Sequence, residues 1–278
     1  MKQVFQFENH RFILSLMLIL LIQLIGYTMY IDANGSAIGK TLWLNVKLHD
    51  QVAYGIDFYL ALFSIPMIIL GFFKKSPWPF FLCFAWLGML STLTWFQGGS
   101  FSAPYSVFAH ANRYLLPACL AYWAMSKNSS QETINGIYHI LSLSMAIVFI
   151  THGIEALNKN PMFIDYTLRF FRNYSPFWLE ESHATYFLIA VGVQDILLAL
   201  ALMLKPNKWV LAYMAFWGFW TALLRTVYSP DYGLSSTLLR TANGGVPLVL
   251  CLQHFGLFGF PKAPQNSFLR ILSKKSKH

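Results

Sequence analysis

The apolar positions of this chain come in long runs. They do not alternate as in a half-buried strand, nor form the single stripe of a soluble amphipathic helix. Eight runs stand out, at about 12–30, 52–73, 78–96, 106–125, 134–157, 185–204, 209–228 and 241–260. Each matches the roughly 20 apolar residues with which a helix crosses a hydrocarbon core. The pattern predicts an all-α polytopic transmembrane helical bundle of about eight spans. The fourth and eighth runs follow Gly/Ser/Pro-rich segments at 97–105 and 229–236, so each is expected as either a full or a re-entrant span.

Composition removes the competing classes. Of 278 residues, 56% are hydrophobic and 11% charged, with mean hydropathy +0.48. A soluble domain carries about 25% charged residues. No compact soluble fold of this length hides so much apolar surface. Disorder, collagen and coiled coil are excluded on the same grounds.

Charge then orients the bundle. With eight spans the termini share a side, which holds twelve basic residues, among them Lys74, Lys75, Lys205, Lys208 and the tail lysines, against Glu8 and Glu132. The other side holds five: Lys40, Lys47, Lys159, Arg169 and Arg172. The positive-inside rule places both termini in the cytoplasm of a cell with an inner or plasma membrane. The net charge of +9 is thus topogenic, and the basic tail suits an anionic lipid surface rather than nucleic acid. The first run is long for a signal peptide and is expected to stay in the mature chain. Cys83, Cys119 and Cys251 all fall inside runs with no CxxC, so no disulfide framework is expected.

The runs also repeat. Ile13-Leu14-Ser15-Leu16 returns as Ile140-Leu141-Ser142-Leu143, and Gly26 as Gly153. Trp78 and Trp86 return as Trp209 and Trp217, and Ala111-Asn112 as Ala242-Asn243. Pro117 and Cys119 match Pro247 and Cys251 one residue out of step. This order predicts two parallel four-helix repeats, 1–130 and 131–262, followed by a basic cytoplasmic tail at 263–278.

The fifth run ends in His152-Gly153-Ile154-Glu155-Ala156-Leu157, ahead of a polar turn and three further runs. This resembles the DoxX-like four-helix membrane family over 134–260, with His152, Gly153 and Leu157 at the matching positions. The resemblance implies a four-helix bundle per half. It also implies a role, in some members, as a membrane subunit of quinone-linked or other redox complexes. The metal and thiol motifs of the active members are absent here, and whether the chain is an enzyme stays open.

Six ionisable residues fall inside the runs: Asp57, Arg113, Glu155, Asp195, Arg225 and Arg240. Buried charge in a membrane marks function or a buried pair. All but Asp195 map to the extracytoplasmic half, together with His110, His152, Asn112 and Asn243. Two readings stay open. The three acids and three bases neutralise one another and hold helices together, with Arg225 and Arg240 also able to snorkel. Alternatively these ten residues line an outer polar cavity for a small or amphiphilic ligand of the quinone or lipid class, since guanidinium suits an anionic group.

His152 and Glu155 lie three apart on one helix face, where a hydrogen-bonded pair is favoured over a metal site with His110. No metal is predicted. Haem is disfavoured because His139 and His254 lack facing partners. No cofactor is assigned. Residues 158–184 read as an amphipathic interfacial helix, a strut or a lid, with 31–51 as the first half's counterpart. P-loop, Rossmann, Gly-x-Ser-x-Gly and HExxH motifs are absent. The competing roles are a small-solute transporter or channel, for which no broken-helix pair is legible, and an assembly protein with a membrane partner.

Overall fold

The computed structural model describes residues 2–97, 105–126, 130–230 and 233–258, with side chains from residue 10 onward. The basic tail, most of 97–105 and part of 229–236 lie outside the described residues. The fold is all helical among the described residues. The helices are α1 (Lys2–Asn34), α2 (Ala37–Leu44), α3 (Asp50–Lys74), α4 (Trp78–Gln97), α5 (Ser106–Ala109) and α6 (Ala111–Met125). They continue with α7 (Gln131–Leu157), α8 (Pro161–Tyr174), α9 (Glu181–Leu204), α10 (Lys208–Tyr228), α11 (Gly233–Leu238) and α12 (Thr241–His254).

Six helices, α1, α3, α4, α7, α9 and α10, are long and apolar enough to cross a membrane. The chain is therefore a multi-pass membrane protein. The sequence leaves the fourth and eighth runs open between full and re-entrant spans. The fourth is a short helix, α5, a break, and the longer α6; the eighth begins with α12, preceded by the short α11 and a break. The breaks fall at His110 (φ −107°, ψ 10°) and Arg240 (φ −102°, ψ 8°). At 15 and 14 residues, α6 and α12 reach only about 22 and 21 Å, against a hydrocarbon core of about 30 Å.

These broken helices are central. Ten residues of α6 and ten of α12 are buried, against six in each of the longer α3 and α9. Both carry an internal proline, and each proline removes the amide that would bond the carbonyl four residues back. For Pro117 that carbonyl belongs to Arg113, and the buried Gln23 side chain of α1 donates to it at 3.2 Å. For Pro247 it belongs to Asn243, whose backbone rests directly on Gly218 of α10.

The packing of the first six helices parallels that of the last six. In the first set α1 packs on α3, α4 packs on α6, and α2 spans α3 and α4. In the second set α7 packs on α9, α10 packs on α12, and α8 spans α9 and α10. Across the middle, α1 meets α11 and α12 while α7 meets α5 and α6. Asn112 donates and Asn243 accepts a buried hydrogen bond of 3.0 Å between the two sets. Tyr138 and His254 bond at 2.6 Å near the opposite end, so His254 has a hydrogen-bonding role.

Small residues allow the closest helix pairs, as in other membrane bundles where packing replaces the hydrophobic drive. A Cβ on Gly153 would lie 2.8 Å from the Gly192 carbonyl, and one on Gly192 would lie 2.8 Å from the Gly153 carbonyl and 2.9 Å from Leu157. The two contacts weld α7 to α9. Gly88 of α4 has open space around it. Gly192→Val is therefore expected to destabilise the purified protein by about 2–4 kcal/mol, the scale of overpacking against backbone. Gly88→Ala should be neutral, or more stable by up to about 1 kcal/mol through helix propensity. Thermal unfolding in detergent checks both.

Candidate functional site

One end of the bundle holds a polar cavity of about 340 Å³. The C-terminal turns of α1, α4, α7 and α10 and the starts of α6 and α12 wall it. His110, Arg113, His152, Glu155, Arg225 and Arg240, six of the ten residues expected at a site, line it together. Lys40 of α2 is an exposed member of the same lining.

The breaks in α5–α6 and α11–α12 explain why arginines gather here. Each leaves the N-terminus of a 14- or 15-residue helix at the cavity, with Arg113 in the first turn of α6 and Arg240 capping α12. Helix N-termini carry roughly half a positive charge each. Dipoles and side chains therefore have the same sign.

Among the described residues no carboxylate stands within salt-bridge distance of Arg113, Arg225 or Arg240. Glu155, buried at 2% exposure, is held by His152 Nδ1 at 2.8 Å instead. That confirms the favoured pairing of these two side chains. Asp57 stands behind Ser36, whose hydroxyl donates to its carboxylate while also capping α2. Asp195 lies apart, with Trp217 and Gln194 as its polar neighbours. The acids are taken by other groups because the helices that carry Asp57 and Asp195, α3 and α9, sit on the outside of the bundle.

The arginines instead bond to backbone. Arg225 Nη1 donates to the Thr221 carbonyl and Arg240 Nη1 to the Ser236 carbonyl at 2.7 Å. The Nε atoms of Arg113 and Arg225 are buried without a hydrogen-bond partner. Arg225 also faces the Tyr166 ring at 5.3 Å, a cation–π contact that leaves its charge in place. Arg225 and Arg240 both face the cavity.

His110 meets Ser91 Oγ at 3.3 Å. Among the described residues no group of three or more His, Cys, Asp or Glu side chains is placed to hold a metal ion. Asn112 and Asn243 are engaged with each other, and Asn243 also borders a second cavity.

That second cavity, about 260 Å³, was not legible in the sequence. It lies between α7, α8, α9 and α10 and is walled largely by aromatic side chains, including Phe163, Tyr166, Phe170, Trp217 and Trp220. Asp195 lines it, as do His152, Phe163 and Arg225, which belong to both cavities. The amphipathic segment expected over 158–184 forms α8, started by Asn160 accepting from the Met162 amide at 3.0 Å and by Pro161. Its Asp165, Arg169, Arg172 and Asn173 are exposed, and its aromatic face turns inward onto this chamber. The spacing Phe163, Tyr166, Phe170 was the available signal.

Three like charges at one cavity repel. Arg240→Gln is therefore expected to leave the ligand-free protein as stable or more stable, by about 1–2 kcal/mol at an effective dielectric near 20. Loss of a structural ion pair would have the opposite sign, and a melting curve of the purified variant in anion-free buffer reads the difference. Comparison of the chain with family models, with curated proteins and with solved structures found no match.

Proposed function

We propose that this multi-pass protein binds the anionic group of a small or amphiphilic ligand in the polar cavity. The observation that carries this reading is a set of three guanidiniums at one cavity, Arg113 buried and Arg225 and Arg240 half-buried, with no ion-pair partner among the described residues. Arginine stays charged at any working pH, and the one carboxylate in the lining, Glu155, offsets at most one of the three charges, so the remainder falls to a bound anion. Carboxylate, sulfate and phosphate groups fit its planar fork. A neutral quinone would leave the charge standing, which favours the lipid class of ligand over the quinone class. The DoxX-like type and a place in a redox complex rest on the His152–Leu157 pattern.

The parallel packing of the two helix sets, joined at Asn112 and Asn243, supports a tandem duplication of one unit. In that arrangement α5–α6 and α11–α12 complete the fourth and eighth crossings. The cavity then opens on the extracytoplasmic side, and both termini are cytoplasmic. The broken helices at equivalent places also favour a second reading, in which the bound anion is carried across. Broken helices whose N-termini face a bound anion are a feature of carriers. An anion-dependent flux into liposomes, lost in Arg113→Gln, would select that reading over simple binding.

Titration calorimetry with inorganic phosphate and sulfate, on protein in neutral-lipid nanodiscs, tests the main claim. Binding should be saturable and weakened at least tenfold by Arg113→Gln or Arg240→Gln, with the melting curve retained. No binding of either anion contradicts it. Topology is tested by thiol labelling, because all three native cysteines are buried. Ser130→Cys should react only from the side of the N-terminus, and Ser182→Cys only from the other.

A further inference from the structure

The aromatic chamber adjoins the polar cavity through shared walls. Arg225, His152 and Phe163 each face both spaces. Arg225 Nε is buried without a partner between them. From Arg225 down α10 to Trp217 is eight residues, roughly 12 Å of helix, and this stretch forms one wall of the chamber.

The chamber also reaches the lipid. Its wall residue Phe187 is 48% exposed on the bundle surface. While α9 packs tightly on α7 and α10 on α12, α9 and α10 meet only sparsely. The α8 helix bridges them at the polar end, where Phe170 meets Trp220 at 5.4 Å and Tyr166 meets Tyr228 at 5.0 Å. A cleft between two weakly joined spanning helices, closed above by an amphipathic helix, is a path along which a chain enters sideways from a bilayer.

We infer that the two spaces form one bipartite site for an anionic amphiphile. A phosphate-class head lies among Arg113, Arg225 and Arg240, and its apolar chain runs from Arg225 toward Trp217 and Asp195 between α8, α9 and α10. The inference rests on the anion-binding reading above and adds the chain, its location and its entry from the membrane. A head without a chain leaves the aromatic lining bare, and a chain without a head leaves the guanidiniums uncompensated.

The test uses inorganic phosphate and then methyl, butyl, hexyl and octyl phosphate on the full chain in neutral-lipid nanodiscs. Affinity is referred to the free concentration in water. Phosphate should bind, and each added methylene in the chamber should strengthen binding by about fourfold, the factor for burial of one methylene. Two chamber-filling variants on different helices, Val148→Phe and Val191→Phe, should keep phosphate affinity and lose most of the chain-length dependence. Taking the ratio of wild type to variant cancels partition into the disc. Phosphate binding with no gain from the chain in wild type overturns the bipartite site and leaves the anion cavity standing. A slope unchanged in both variants also overturns it, since the chain then lies elsewhere. Failure to bind any of the probes removes both readings.

Discussion

A guanidinium cannot shed its charge by giving up a proton at any working pH, so burying one requires a compensating group. Taking an ion out of water costs several kcal/mol even after relaxation. This protein buries Arg113 to 3% exposure and places Arg225 and Arg240 at the same cavity. Two helix N-termini add positive potential rather than relieving it. Much of the architecture at this end follows from that constraint. The breaks at His110 and Arg240 bring the guanidiniums to one space, and backbone carbonyls of Thr221 and Ser236 hold two of them in place. The acids bond elsewhere, Glu155 to His152 and Asp57 to Ser36, and none forms an ion pair with these arginines among the described residues.

The same breaks tie local sequence to global packing. Pro117 and Pro247 free the carbonyls of Arg113 and Asn243 in the two central helices. Gln23 satisfies the first, and the second lies against Gly218, where no side chain intervenes. Between them, Asn112 and Asn243 bond across the contact of the two helix sets. The residues that join the sets thus sit in the same two helices whose N-termini reach the cavity. Helix α8 ties the polar cavity to the aromatic chamber, since its exposed charges and inward aromatics serve two surfaces at once.

Several of these features could be read from the chain alone. Long apolar runs identify α1, α3, α4, α7, α9 and α10, because crossing a bilayer demands both length and apolarity. The grouping of His110, Arg113, His152, Glu155, Arg225 and Arg240 was legible because topology fixes depth, and depth is a nearly one-dimensional property of sequence. Asp57 and Asp195 could not be separated from this group in the sequence, because depth says nothing of which face of the bundle a helix occupies. The breaks were not located by Pro117 and Pro247, which recur one residue out of step, since a proline alone does not tell a kink from a turn. The aromatic chamber depends on α8 folding over α9 and α10, a tertiary event with no local signature beyond the spacing of Phe163, Tyr166 and Phe170.

The central claim is that the three arginines are neutralised by an anion rather than by the protein. The most direct measurement is anomalous diffraction from crystals grown with selenate in place of other anions. The account predicts a selenium peak enclosed by the guanidiniums of Arg113, Arg225 and Arg240. A cavity with no peak, with Glu155 or Asp57 turned to pair with those arginines, would contradict it.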